Sequence, residues 1–304
     1  MDSPRFNPYV VLIIGVFFVS TSAIFVKLST ADAGVIAFYR LLFTVLLMLP
    51  LFLVKYVGEL KEISKKDWFF SFIAGVFLAF HFILWFESLN YTSVASSTVL
   101  VTLQPLFAFV GTYFIFKERF TLGALIGGGV AIAGSFIIGW GDLRVSGQAL
   151  YGDVLALIAC ALITGYLLFG QIIRKRMSLI TYTFIVYFNC TIVLFFYVLF
   201  KQEAFYPYPA KEWLYFFLLA VLSNLLGHTL FNWAIKYIST SAVSMAILLE
   251  PIGASILAWW LLREKLMTAQ IVGGAIVLAG LLLFVADPKK IKNIIHRRNR
   301  EINE

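Results

Sequence analysis

The chemistry available to this chain rests on a few polar side chains set inside long apolar runs. Glu250 follows Leu248-Leu249 and precedes Pro251 near the middle of one such run. An ionised carboxylate deep in hydrocarbon is costly, so it must face other helices and be paired or protonated. Two chemistries fit: a proton- or cation-binding group that couples a gradient, or half of a structural pair with an Arg or Lys. Asn224, His228 and Asn232 are spaced i, i+4, i+8 and make one polar stripe; His81 and Trp85, at i, i+4, make another. Polar stripes either bond neighbouring helices or line a cavity. A cavity is expected here, its wall extended by Thr98 and Thr102 on one side and by Ser244 with Leu248 on the other. Trp85 and Tyr166 either offer aromatic faces to an organic solute or, as single aromatics in a span more often do, serve helix packing. Lys27 and Arg40 lie toward the ends of their runs, where snorkelling is the default, but Arg40 is several residues in and is expected to make a structural pair. Pro105 and Pro251 each remove a mid-run backbone bond and are expected to kink their helices beside the cavity. Glu118-Arg119 and Glu264-Lys265 are expected to tie tight turns to adjoining helix ends. With three His in all, one of them His296 near the C-terminus, a metal cage is hard to assemble, and no cofactor is expected.

These side chains need elements to position them, and composition dictates which. Of 304 residues, 61% are hydrophobic and 13% charged, with a mean hydropathy of +0.92. Soluble domains run near 45–50% apolar and about 25% charged, so a soluble enzyme is excluded. The 31 Phe, 14 Tyr and 7 Trp exclude disorder. The solvent is the lipid bilayer. A span takes about 20 apolar residues, and ten apolar runs are found, near 10–28, 34–54, 68–89, 94–116, 121–140, 151–173, 179–200, 212–235, 242–262 and 268–286. The first run is long and lacks a basic leader, so it is read as a retained span. Cys160 and Cys190 fall inside apolar runs and suggest no disulfide. Most of the 24 Lys and Arg fall on one side: Arg5, the Lys55–Lys66 loop, Lys117-Glu-Arg119, Arg174-Lys175-Arg176, Lys236 and the tail from Lys289. Lys27, Arg144, Lys201, Lys211, Arg263 and Lys265 face the other way. The positive-inside rule then puts both termini in the cytoplasm. The net charge of +8 signals topology and lipid headgroups, not nucleic acid.

The chain also repeats itself at an offset of 146: Tyr91 with Tyr237, Pro105 with Pro251, Glu118 with Glu264, Gly127-Gly128 with Gly273-Gly274, and Gly134 with Gly280. Upstream, His81 and Trp85 face His228 and Asn232 at an offset of 147. Gln104 answers Glu250 and cannot titrate, so the halves are not equivalent. Five spans per half force opposite orientations, and inverted repeats are the mark of secondary transporters, in which one half rocks against the other around a midplane site. The two His would then face one another across a shared cavity. The expected architecture is all-α and integral to the membrane. Ten transmembrane helices form two inverted five-helix repeats, at 1–140 and 141–287, with a basic cytoplasmic tail at 288–304. The Gly of the fifth and tenth runs would let those helices pack closely.

Each half resembles an EamA repeat of the drug/metabolite transporter superfamily. The resemblance is carried by the Tyr-x-Ser starts of runs four and nine, by Pro105 and Glu250-Pro251, and by Glu118-Arg119 and Glu264-Lys265. The Gly-rich fifth and tenth runs, Phe38-Tyr39-Arg40 and Ser22-Ala-Ile-Phe-Val-Lys27 add to it. It implies ten helices with both termini inside, acting in export of small metabolites or drugs. The expectation is a multi-pass protein of the cell membrane, plasma or inner, that exports small organic metabolites such as amino acids, with protons, from the Glu250 reading, as a candidate coupling ion. A multidrug or nucleotide-sugar-type carrier of the same fold is the alternative. A membrane enzyme is the more distant one, since no His-Glu-x-x-His, Gly-x-Ser-x-Gly or intramembrane Asp pair occurs. No channel filter or nucleotide-binding motif is visible either.

Overall fold

The computed structural model describes residues 4, 6–139, 147–263 and 267–285. Arg5, Arg144, Glu264, Lys265, His296 and the tail 288–304 lie outside the described residues. Among those described, every regular element is helical. The helices are α1 (Pro8–Val19, resuming as Thr21–Leu28), α2 (Ala33–Lys55), α3 (Lys65–Ser88), α4 (Val94–Val101, resuming as Gln104–Phe116) and α5 (Leu122–Gly139). They continue as α6 (Gly147–Ile173), α7 (Leu179–Lys201) and α8, which runs through Ala210–Leu218, Leu219–His228 and Thr229–Ala234. The last are α9 (Thr240–Ile247, resuming as Glu250–Leu261) and α10 (Thr268–Val285). Eight of the described helices are long and apolar enough to cross a bilayer, and shorter apolar helices cover Leu122–Ile138 and Ile271–Val285.

Local chemistry sets the boundaries. Serines open four helices: Ser64, Ser93, Ser178 and Ser239 accept from the backbone N–H of Asp67, Ser96, Thr181 and Ala242. Each satisfies one of the orphan donors of a first turn. Ser93 and Ser239 stand 146 apart, so the Tyr-x-Ser pattern at runs four and nine encodes helix caps. The far ends of α4 and α9 match too, with Lys117 at φ 55° and Arg263 at φ 58° in the left-handed region.

Pro105 and Pro251 do more than kink. Each opens a new helical segment as its second residue, after breaks at Thr102-Leu103 and Leu248-Leu249. A proline fits the first turn, where its missing N–H is not needed, but it deprives the carbonyl four residues back of a donor. Those carbonyls belong to Val101 and Ile247. In α1 the break falls at Ser20, whose hydroxyl donates back to Val16 O at 2.8 Å and lies 3.4 Å from Glu250 O.

In α8 the stretch Leu219–His228 is π-helical, a rare widening that tends to occur at functional sites. Asp67-Trp68 at the start of α3 is answered by Glu212-Trp213 in α8, at an offset of 145, whereas His81 is answered at 147. The second half therefore fits two more residues between these landmarks, and the wider turns absorb them.

Packing places α3 against α6 and α7, α2 against α7, and α1 against the π-helical part of α8. The closest pair is α5 with α10. A side chain at Gly134 would sit 2.6 Å from Val277 N and 2.7 Å from Gly273 O. Only glycine permits the two backbones to touch there.

Candidate functional site

Six helices converge on a cavity at the centre of the bundle. It is lined by Val19 of α1, His81 and Trp85 of α3, Val101 and Gln104 of α4, Ile163 and Leu167 of α6, His228 and Phe231 of α8, and Ile247 and Glu250 of α9. Its free volume is about 10 Å³, roughly one water. The protein is therefore closed around it, and no organic solute fits without helix movement.

His81 is 3.0 Å from Ala159 O through Nδ1, and its ring stacks on Trp85 with centroids 5.7 Å apart. His228 and Phe82 pack in a T-shape with ring centroids 5.5 Å apart, and both ring nitrogens of His228 lack a partner. Trp85 Nε1 and Gln104 Oε1 are buried and unpaired as well. No hydrogen bond or ion pair from a described residue reaches the Glu250 carboxylate. Buried polar groups are normally satisfied, so this many open donors and acceptors around one cavity suits a ligand that brings their partners.

Arg40 does not snorkel: it is fully buried. Its Nε donates to Asn224 Oδ1 at 2.7 Å and its Nη1 to Ser22 Oγ at 2.8 Å. Asn224 in turn donates to Thr44 Oγ1 at 3.2 Å. The guanidinium lies over the Phe82 ring, 4.2 Å from its centroid. Arg40 thus bonds α1, α2 and α8 together behind the cavity, through amide and hydroxyl oxygens in place of the expected acidic partner.

Of the sequence-derived cavity residues, His81, Trp85 and His228 line the space, joined by Glu250, which the sequence offered as a coupling group. The others are buried elsewhere. Asn232 donates to Tyr166 OH, and its Nδ2 lies 3.4 Å from Tyr187 OH. Asn224 belongs to the Arg40 network. Thr102 bonds back to Thr98 O at 2.8 Å, while the Thr98 and Ser244 hydroxyls are unpaired off the cavity. The walls of α4 and α9 are instead Val101 with Gln104 and Ile247 with Glu250. At 3.6 residues per turn, Thr98 points about 60° away from Val101, and the chain breaks at Thr102.

Both ends of the bundle carry polar ties. At one end Ser239 Oγ donates to Glu118 Oε1 at 2.9 Å, Ser241 lies 3.4 Å from Oε2, and Arg176 pairs with Asp67 at 2.7 Å. At the other, the fully buried Glu212 accepts from Ser29 Oγ at 2.5 Å, Thr30 N at 3.1 Å and Thr30 Oγ1 at 3.0 Å. Beside Arg176 at the first end, Arg174, also buried, donates to Asn232 O at 3.0 Å and to Met177 O. Sequence reasoning missed Glu212 and Arg174 because both sit at run ends, where a charge reads as solvent-facing. The only available signal was that Glu212 answers Asp67 beside a shared Trp.

A polar vestibule of about 740 Å³ lies at the Glu212 end, with Asp32, Glu87, Tyr197, Lys201 and Glu203 in its wall. Partial burial, then the neighbouring Asp32 charge, raise the Glu203 carboxyl to about 7, with Lys201 opposing and Glu87 adding. Between its ordinary value near 4.5 and about 7 the folded protein holds more protons than the unfolded chain, so stability falls as pH rises through that window. Thermal unfolding in detergent across it should show a decline in midpoint that Glu203→Gln reduces. An unchanged pH profile in the variant would contradict this assignment.

Comparisons with known proteins agree with this architecture. The model of the EamA-like transporter family matches twice, over residues 7–140 and 150–286. An uncharacterized transporter of Bacillus subtilis, YoaV, is 26% identical over 77% of this chain and 82% of its own length. An uncharacterized transporter of Archaeoglobus fulgidus is 21% identical over 90% of this chain and 94% of its own. The riboflavin transporter ImpX of Fusobacterium nucleatum is 23% identical over 84% of this chain and 89% of its own. A solved crystal structure shares the fold, with a TM-score of 0.75 at 15% identity, over 93% of this chain and 98% of that one. The chain belongs to the EamA-like transporter family and is a multi-pass membrane protein with a small-molecule substrate.

Proposed function

We propose that the protein exports small organic metabolites, amino acids or close relatives of them, across the cell membrane by alternating access. In this reading two inverted halves of five spans, with both termini cytoplasmic, rock about the central cavity. One observation carries it: the cavity is lined by repeat-related pairs. His81 and His228 answer each other at an offset of 147, Val101 and Ile247 as well as Gln104 and Glu250 at 146. A site shared about a pseudo-twofold axis is what two rocking halves require. The mixture of apolar wall and open polar groups suits a small solute with both characters.

Glu250 is the proposed coupling group. A carboxyl in a closed cavity, without a fixed cation on it, can hold either a proton or a positively charged part of the substrate. If each excludes the other, proton entry drives substrate export. The test is flux of radiolabelled amino acids, with riboflavin alongside, into and out of proteoliposomes, with and without a pH gradient. Saturable amino-acid flux supports the proposal. Flux of riboflavin alone would move the substrate class to that of ImpX, and no carrier-dependent flux of either would refute the assignment.

A further inference from the structure

We infer that Gln104 and Glu250 together form a subsite for a protonated primary amine. The inference deepens the reading above by naming the substrate group that this part of the cavity holds.

Gln104 and Glu250 are each 4% exposed, line the same cavity, and occupy matching places in the two halves. Both stand directly before a proline that starts a new helical segment, so each side chain leaves a helix start whose position is fixed. Gln104 Oε1 is buried with no donor, and the Glu250 carboxylate receives none from the described residues. Two open acceptors, one of them able to carry charge, call for a ligand group that is positive and rich in N–H. A primary ammonium has three such donors and no acceptor. It is also about the size of a water, which the closed cavity of about 10 Å³ admits.

The rest of the cavity agrees with that polarity. Its unpaired donor, Trp85 Nε1, lies on α3, and with His228 it can serve an oxygen elsewhere on the ligand. Val101, Ile247 and Phe231 supply apolar wall. The nearby buried cation, Arg40, spends two of its nitrogens on Asn224 and Ser22 and stacks on Phe82; it does not line the cavity. A quaternary ammonium has the charge without the N–H groups and cannot satisfy Gln104.

The pairing also explains why the halves differ here. An acid on both sides of the axis would bring two like charges together in a dry cavity. One acid and one amide keep both acceptors and a single charge.

The test uses binding to the purified full-length protein, which does not depend on flux. Three probes share one carbon skeleton: isoamylammonium, its N,N,N-trimethyl analogue, and 4-methylpentanoate. Isoamylammonium should bind, and the other two should bind at least tenfold more weakly. Gln104→Leu should weaken isoamylammonium by about tenfold, as expected for loss of one hydrogen bond to a charged group. Gln104→Glu, which keeps the acceptor and adds charge, should bind it more tightly. Unfolding midpoints without probe identify a variant that has merely lost its fold, and in that case Gln104→Glu carries the test. The inference is overturned if the carboxylate binds in preference to the amine, if the trimethyl analogue binds as well as the primary amine, or if neither amine binds. It is also overturned if folded Gln104→Leu keeps wild-type affinity. Binding of the amine without any amino-acid flux would retain the subsite and reject the proposed substrate class.

Discussion

Glu250→Gln is expected to keep substrate exchange and to lose gradient-driven accumulation together with the pH dependence of transport. A glutamine preserves the size of the side chain and an acceptor oxygen, so the cavity can still close on a ligand, with a higher half-saturation concentration. What disappears is the proton that a carboxyl can take up on one side and release on the other. A one-unit pH gradient is worth about 1.4 kcal/mol per proton, a tenfold ratio. Wild-type proteoliposomes should therefore accumulate substrate up to about tenfold, and the variant should stop at equilibration. Solute exchange and net accumulation, measured on the same preparation, separate the alternatives. A variant that folds poorly and loses both activities would make Glu250 structural. Wild-type accumulation in a folded variant would remove it from the mechanism.

The second large effect is on stability. Arg40→Leu removes the two hydrogen bonds that the guanidinium makes to Asn224 and Ser22 and leaves the Asn224 Oδ1 acceptor buried without its donor, with only the Asn224–Thr44 bond still joining α2 to Asn224. Hydrogen bonds to a charged group are worth about 1.5–3 kcal/mol each. Relief from burying the guanidinium, whose Nη2 has no partner, offsets part of that. A net loss of about 3 kcal/mol is expected, read as a drop of several degrees in the thermal midpoint in detergent. Arg40→Lys should recover only part of it, because one ammonium cannot reproduce the planar fork. Unchanged stability in Arg40→Leu would mean that the network does not hold these helices.

The helices were legible because lipid leaves the backbone no other option: the apolar runs locate them to within a few residues. The caps and breaks were legible too, through Ser93, Ser239, Pro105 and Pro251, since a serine hydroxyl and a missing N–H act locally. Depth in the bundle was not. Arg174 and Glu212 read as loop charges because a sequence records distance along the chain, not which end residues fold inward. Arg40 read as half of an ion pair, yet its partners are neutral and come from α1 and α8.

Helical phase was the other blind spot. Thr98, Thr102 and Ser244 were assigned to the cavity wall by spacing on unbroken helices. Thr98 and Ser244 lie about 60° around their own segments from Val101 and Ile247, and the break before Gln104 ends the phase at Thr102, so Val101, Gln104, Ile247 and Glu250 stand on the wall instead. Gln104 drew attention only as the mate that does not titrate, whereas an unpaired buried oxygen shows itself only in three dimensions. The π-helical turns of α8 likewise lie beyond periodicity counting. Asn224 was aligned with His228 at α-helical spacing, but the wider turns carry it to Arg40.

The central claim is that one closed cavity opens alternately to the two sides of the membrane. Single cysteines at Val101 and Ile247, in a background lacking Cys160 and Cys190, test it through reaction with a membrane-impermeant thiol reagent applied to one face of sealed, oriented vesicles. The account predicts that each cysteine reacts from either face and that a substrate gradient raises reactivity on one face while lowering it on the other. Reaction from a single face under every gradient, or from both faces with no reciprocal change, would contradict it.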